Sequence, residues 1–170
     1  MTSETTLTVE RRDLIQALDR HRDFLRFTVR GLTDEQATRR TTASELTLAG
    51  LIKHVGRTEA TWAGFAQRGA DAFGPGNWSP EAWAQQWQLL PGETLAGMLA
   101  DYDDAARRTD ELAATLDLDA AYPLPEAPWF EPGARWSVRR TLLHLIAETA
   151  QHAGHADILR ESLDGQKTMG

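Results

Sequence analysis

The sequence contains no cysteine among its 170 residues. This absence excludes disulfide bonds, a protein thiolate that acts as a nucleophile, and every metal site that is built on cysteine. If the protein carries out thiol chemistry, the thiol must therefore arrive as a substrate.

Long apolar runs are absent as well. No stretch approaches the roughly 20 apolar residues that cross a bilayer. The N-terminal segment, MTSETTLTVERR, has neither an apolar centre nor a cleavage signal. We therefore expect a cytoplasmic protein that has no membrane partner.

Basic residues are in the minority, with 18 Lys and Arg against 25 Asp and Glu and a formal net charge of -7. A protein that binds the nucleic-acid backbone needs a clustered basic surface. Nucleic acid is therefore not an expected partner, and the acidic balance otherwise indicates only solubility.

The remaining composition is that of an ordinary folded domain, with 41% hydrophobic and 25% charged residues. A domain of this length buries roughly 70% of the surface that its unfolded chain exposes, so it can form a substantial core. We expect one domain that spans residues 1–170.

Four segments repeat apolar residues at helical spacing, which predicts amphipathic helices. They span about residues 8–30, 45–68, 93–116 and 137–163. No segment alternates with period 2 for long enough to predict a strand. Four helices joined through two long loops, residues 69–92 and 117–135, predict an all-α four-helix bundle.

Polar residues before these segments predict where helices begin. Ser44 has the position of an N-cap for the second long helix. Thr33 followed by Gln36 fits a capping box that opens a short helical turn.

The first long loop is expected to contain a short helix of its own. Ser79 followed by Pro80 predicts its start. Trp83 and Trp87 would share one face of it, with packing as their expected role. His21, on the apolar stripe of the first helix, is expected in the core or in the lining of a cavity.

The fourth helical segment places four titratable side chains on one stripe. At about 100° per residue, and with His144 as the origin, His155 lies at about 20°. On the same wheel Glu148 lies at about 40° and His152 at about 80°. This stripe also carries three leucines and should face the core, where charge is costly unless it is paired or bound to a metal.

Glu148 and His152 are one helical turn apart, so both can bind one ion. A carboxylate and an imidazole suit Zn²⁺, Ni²⁺, Fe²⁺ or Mn²⁺. His54, which borders the apolar face of the second long helix, is the best candidate for a third ligand. His144 and His155 are expected to hydrogen-bond within the site, although His155 could replace one ligand.

Interpretations without a metal remain open. His54 alone could be a hydrogen-bonded core histidine, and Glu148 could form an ion pair with Arg139 or Arg140. The stripe could also be a buried polar network.

Three stretches of the sequence resemble a known family. They are GLTDEQA at residues 31–37, LAGLIKHV at residues 48–55 with Glu59 and Trp62 downstream, and the segment 136–161 that holds the histidines. The chain resembles the DinB-like superfamily of metal-binding four-helix bundles, and more closely its DUF664 branch. The resemblance implies one metal ligand on the second helix and a pair four residues apart on the fourth, namely His54, Glu148 and His152.

The Glu–His pair resembles that of the mycothiol-dependent maleylpyruvate isomerase, and the branch as a whole resembles mycothiol S-transferases. The resemblance implies a divalent metal ion, with zinc preferred over nickel, iron or manganese, and mycothiol as co-substrate. It also implies detoxifying transfer of the thiol to small electrophiles, and it is compatible with a homodimer.

Side chains on the long loops would line the mouth of such a site. We expect Trp78, Trp129 and Phe130 to contact the electrophile, with Arg139 and Arg140 as weaker candidates for polar contacts. The alternatives are a metal-dependent hydrolase of small molecules and a non-catalytic bundle that binds a metal or ligand.

Overall fold

The structure is a computed structural model, and it describes residues 7–74 and 79–169. Its helices and strands are α1 (Val9–Phe27), α2 (Asp34–Ala37), α3 (Leu48–Arg68), α4 (Pro80–Gln85), α5 (Leu95–Thr115), β1 (Ala121–Pro123), β2 (Arg135–Ser137) and α6 (Val138–Asp164), with a 3₁₀ turn at Gly69–Phe73. The four long helices α1, α3, α5 and α6 confirm the predicted all-α bundle. Among the described residues, none of the helices combines the length and the apolar character needed to cross a membrane.

Helix α3 is the central helix and packs against both α5 and α6, while α1 packs against α6 and α5. Its sequence explains this place, because apolar or small residues occupy nearly every position between Leu48 and Val55, and all of these positions are buried. Gly56 allows α5 to approach closely: an added Cβ there would lie 3.2 Å from the Cβ of Tyr102.

The apolar core consists of two clusters that follow one another along the bundle. In α6, Val138, Leu142 and Leu145 belong to one cluster, and Ala153, Ala156 and Leu159 belong to the other. The polar positions 148 and 152 lie between them. The apolar core of the bundle is therefore discontinuous at the positions where the candidate ligands were predicted.

The starts of the helices confirm two predicted caps and correct a third. Thr33 and Gln36 form the capping box of α2, and the Ser79 side chain caps α4. Ser44 is not an N-cap, because its hydroxyl accepts the Leu46 amide within a preceding turn. Helix α3 begins later, after Thr47, whose side chain accepts the amide of Gly50.

A small antiparallel hairpin, which the sequence did not predict, joins the second long loop to α6. Strand β1 pairs with β2 in the register Tyr122 to Trp136. Each strand has three residues, too few for alternation to be visible in the sequence. Ser137 ends β2 and also caps α6 through the Arg140 amide, so the hairpin fixes the start of the helix that carries Glu148 and His152.

Helix α1 contributes a buried ion pair that the predicted stripe missed. Arg22 on α1 pairs with Glu59 on α3, and neither side chain is exposed to solvent. Arg22 also contacts Asp110 at 2.8 Å and Asp19 at 2.7 Å. His21, which was predicted in the core or a cavity, is only half-buried, with its ring centroid 6.1 Å from that of Phe24.

Candidate metal centre

Three side chains from two helices converge in the middle of the bundle. His54 on α3 and Glu148 and His152 on α6 each offer one ligand atom, and these atoms lie within 4.8 Å of one another. The one-turn spacing on α6 brings His152 Nε2 to 3.6 Å from Glu148 Oε2. Both histidines are buried and Glu148 is half-buried.

The protonation states of this cluster suit a divalent ion. Burial, with repulsion from His152, lowers the pKa of His54 to about 4. Interaction with the adjacent His152 imidazole lowers the pKa of Glu148 and outweighs its partial burial. At neutral pH the cluster thus offers a neutral imidazole and a carboxylate, which are the forms that bind metal. Two nitrogens and one oxygen form a donor set that fits Zn²⁺, Ni²⁺, Fe²⁺ or Mn²⁺.

His54 is held by residues that sequence reasoning did not select as part of the site. Its Nδ1 lies 3.0 Å from Gln86 Oε1. The Trp87 ring stacks on the imidazole, with centroids 3.7 Å apart and planes 18° apart. Gln86 lies in a connection, 32 residues along the chain from His54, and no periodic pattern connects the two positions.

The other two histidines of α6 lie beside the cluster rather than in it. His155 Nδ1 is 3.3 Å from His152 Nδ1, so it contacts the ring nitrogen that faces away from Glu148. His144 packs edge-on against Trp62 and Trp136, with centroids 4.7 Å and 5.0 Å away. Burial lowers the pKa of His144. A supporting role for the two histidines stays a prediction, and the ring contacts of His144 are with aromatic side chains.

The cluster opens into a cavity of about 830 Å³. The cavity walls combine residues of α3, α4 and α6 with aromatic residues from the connections. They are His54, Arg57, Thr58, Ala60, Thr61, Trp62, Phe73, Ala82, Trp83, Gln85, Gln86, Trp87, Trp129, Phe130, His144, Glu148 and His152. Trp129 and Phe130 line the cavity, and their contact with an electrophile stays a prediction. Trp78 lies outside the described residues.

Trp83 and Trp87 were expected to serve packing, yet both line the cavity. Their ring centroids are 5.8 Å apart, and Trp83 remains 53% exposed. Arg57 on α3 also lines the cavity and was not selected from the sequence. Its position one helical turn after His54 is the feature of the sequence from which it could have been selected.

Arg139, which was predicted to supply polar contacts to the substrate, is not among the described residues that line the cavity. Arg139 forms ion pairs with Glu10, at 2.5 Å, and with Asp119. These contacts tie the start of α6 to the start of α1. Arg140 lies over the Trp136 ring, 4.3 Å from its centroid. Neither arginine pairs with Glu148, whose carboxylate lies 3.6 Å from the His152 imidazole.

Comparison with known proteins identifies the family. A solved structure of a conserved protein from Enterococcus faecalis shares the fold, with a TM-score of 0.66, 15% sequence identity, and coverage of 95% of this chain and 100% of that chain. No curated protein matches the chain significantly. The family described as Mycothiol-S-transferase matches residues 13–165, a span that includes all three candidate ligands and nearly the whole bundle. The chain therefore belongs to the mycothiol-S-transferase family, as its sequence motifs indicated.

Proposed function

We propose that the protein is a divalent-metal-dependent transferase that conjugates a low-molecular-weight thiol, mycothiol, to small electrophiles. One observation carries the proposal: in a member of the mycothiol-S-transferase family, His54, Glu148 and His152 form a compact donor cluster in the wall of a large cavity. The absence of cysteine from the chain agrees with a sulfur nucleophile that comes from the co-substrate.

The three candidate ligands would hold the ion, with zinc as the proposed metal. A divalent ion that is balanced by a single carboxylate keeps positive charge and open positions, so it can lower the pKa of an entering thiol and favour the nucleophilic thiolate. Trp87 and the bundle core shield His54 from water on one side. The cavity admits the reactants on the other side.

The cavity walls indicate the kind of electrophile. Trp62, which is 7% exposed, contacts Phe73 and Phe130 edge-on at 5.0 Å and 6.3 Å between ring centroids. Aromatic rings bind flat apolar groups through edge-to-face and offset contacts. We therefore infer that the electrophile is apolar and planar. In the net reaction the thiol proton passes to solvent, a carbon–sulfur bond forms, and the halide or other leaving group departs with the electron pair of the bond that breaks.

Two measurements test the proposal. The first is metal content: we expect about one divalent ion per chain in wild type, lost in His152→Ala and retained in His21→Ala. His21 is a suitable control because it is half-buried on α1 and is not part of the cavity wall. A wild-type protein that binds none of the four metals would refute the metal centre.

The second measurement is conjugation of 1-chloro-2,4-dinitrobenzene by mycothiol with zinc-loaded protein. We expect a rate above the uncatalysed reaction that falls to the uncatalysed rate in His152→Ala. An equal rate with and without wild-type protein would refute the transferase. Turnover of an aryl ester without thiol would instead support metal-dependent hydrolysis, and tight ligand binding without any turnover would support a binding protein.

A further inference from the structure

The connection between α4 and α5, residues 86–93, lies along one face of α3 and is called the strap below. Its contacts on α3 are made by Gly50, Lys53, His54 and Arg57. These positions follow the spacing i, i+3, i+4, i+7, which places them on a single face of a helix. A segment without regular structure is therefore attached to the helix that carries one candidate ligand.

The first attachment is a direct contact between backbones. A Cβ added at Gly50 would lie 2.0 Å from the carbonyl oxygen of Trp87 and 2.8 Å from its carbonyl carbon. Only glycine allows the strap to approach α3 this closely at this point. The contact lies one helical turn before His54, so it fixes the position of Trp87 along the axis of α3.

The second attachment is a buried ion pair. The Lys53 side chain is fully buried, and its Nζ contacts Glu93 Oε2 at 2.5 Å and the carbonyl oxygen of Gln88 at 2.9 Å. Glu93 also accepts the Leu90 amide at 2.8 Å and faces Arg57 at 3.4 Å. Although desolvation acts to raise the pKa of Glu93, these hydrogen bonds and cations lower it. Lys53 thus joins the middle of the strap to its end.

Two side chains of the strap contact the imidazole of His54. Trp87 covers one face of the imidazole, and Gln86 Oε1 lies within hydrogen-bond distance of Nδ1. The edge of His54 meets His152, with ring centroids 4.9 Å apart and planes 80° apart. When Nδ1–H donates to Gln86, the lone pair of Nε2 remains for an ion.

We propose that Gln86 is a positioning residue that sets the tautomer and ring orientation of His54, and that Lys53 and Glu93 hold the strap in place for this purpose. The inference rests on the proposed metal-dependent function. Metal-binding histidines generally donate their second N–H to such a partner, and removal of the partner typically lowers metal affinity about 10- to 100-fold. The Lys53–Glu93 pair is expected to act on the metal through the strap, without touching the ion.

The tautomer of His54 tests the inference without any metal. In metal-free protein at pH 7, long-range ¹H–¹⁵N correlation spectra should show His54 protonated at Nδ1. In Gln86→Leu the spectra should shift toward the Nε2–H form that free histidine prefers. Gln86→Glu keeps an acceptor and should retain the wild-type tautomer. A wild-type His54 in the Nε2–H form, or a Gln86→Leu spectrum identical to wild type, would overturn the inference.

Zinc affinity, measured by competition with a chromophoric chelator, tests the functional part. We expect Gln86→Leu and Lys53→Met to weaken binding about 10- to 100-fold, whereas Gln86→Glu should bind at least as tightly as wild type. Lys167→Met is the matched control, because Lys167 is the only other lysine in the sequence and pairs with Glu161 on the exposed end of α6. Equal affinity in Gln86→Leu and wild type would refute the positioning role.

The two tests distinguish the inference from the proposed function. If wild-type protein binds no metal but His54 shows the Nδ1–H form that Gln86→Leu loses, the proposed function fails and the assigned hydrogen bond stands. If metal binds and Gln86→Leu changes neither tautomer nor affinity, the inference fails and the proposed function stands. Far-ultraviolet circular dichroism on each variant excludes unfolding as the cause, and Gln86→Leu is favourable here because that side chain is only half-buried.

Discussion

Replacement of Gly50 by alanine should displace the strap and weaken the metal centre. The new Cβ would begin 2.0 Å from the Trp87 carbonyl oxygen, whereas ordinary contact begins at 3.4 Å, so the backbone must retreat by about 1.4 Å. The obstacle is backbone rather than a flexible side chain. Retreat of Trp87 also draws the neighbouring Gln88 carbonyl away from Lys53.

Two opposing terms set the magnitude. Alanine gains up to about 1 kcal/mol over glycine in a helix, while overpacking of a close contact costs about 1–3 kcal/mol. We expect Gly50→Ala to lower the free energy of unfolding by about 1–2 kcal/mol, since the clash is larger than most side chains can absorb. Gly154→Ala provides the matched control on α6, because its added Cβ meets no described atom within 4 Å; it should stabilise the protein by up to about 1 kcal/mol.

Urea unfolding monitored by circular dichroism gives both free energies, and chelator competition gives the zinc affinity of the same samples. Gly50→Ala should lose both stability and affinity, whereas Gly154→Ala should gain stability at unchanged affinity. The reasoning is refuted if the two alanine variants are equally stable and bind zinc equally well. Such a result would mean that the strap does not rest on α3 at Trp87.

Three further predictions concern other parts of the molecule. Glu59→Gln should destabilise the protein by about 3 kcal/mol, because it leaves the buried Arg22 without its buried partner. Thermal unfolding would show this loss. Asp19→Asn is the control, because its side chain is 54% exposed, and it should lower the free energy of unfolding by less than about 1 kcal/mol. Trp129→Ala should raise KM for aromatic electrophiles roughly 2- to 10-fold without changing KM for mycothiol, and an unchanged KM for both would show that the 59% exposed indole is no part of the binding site. In metal-free protein, the pKa of folded His54, about 4, lies below its value in the unfolded chain, so the free energy of unfolding should fall by up to about 3 kcal/mol as the pH drops from about 6.5 to 4. Urea unfolding across this range should show a smaller loss of stability in His54→Gln than in wild type. Parallel curves for the two proteins would contradict the assignment.

The sequence predicted the bundle because its information is periodic. Apolar residues at helical spacing identified α1, α3, α5 and α6, and the single stripe of α6 was sufficient to place Glu148 and His152 toward the interior. His54 could be selected in the same way, since it borders the apolar face of its own helix. These are properties of one helix at a time, and one helix is what periodicity describes.

The remaining features depend on contacts between segments that are far apart in the chain. Gln86 reaches His54 across 32 residues, and Lys53 reaches Glu93 across 40 residues. Neither contact follows a repeat, so neither could be predicted from spacing. Gly50 was visible in the sequence as a glycine in a helix, but only the structure shows that the Trp87 backbone requires it.

The positions of Arg22 on α1 and Arg139 on α6 differ from the expected ones for a common physical reason. The periodic stripe favoured His21 for the interior, yet Arg22 occupies it because Glu59 and Asp110 supply compensating charge on other helices. Arg139 was expected at the substrate site, yet Glu10 and Asp119 bind its guanidinium. Long charged side chains can turn toward whichever partner the tertiary structure brings near, so helical position alone does not fix where the charge lies.

The hairpin of β1 and β2 separates a connection whose sequence can change readily from helices whose sequences are constrained. The proposed ligands belong to α3 and α6, whose sequences are constrained by the core they form. Trp129 and Phe130 belong instead to the connection that the hairpin closes at its base, with Tyr122 opposite Trp136. Exchange of residues 124–134 would therefore alter the cavity wall while α6 keeps its cap and its starting point. The range of accepted electrophiles can diverge among relatives, or be redesigned, while the chemistry of the centre stays the same.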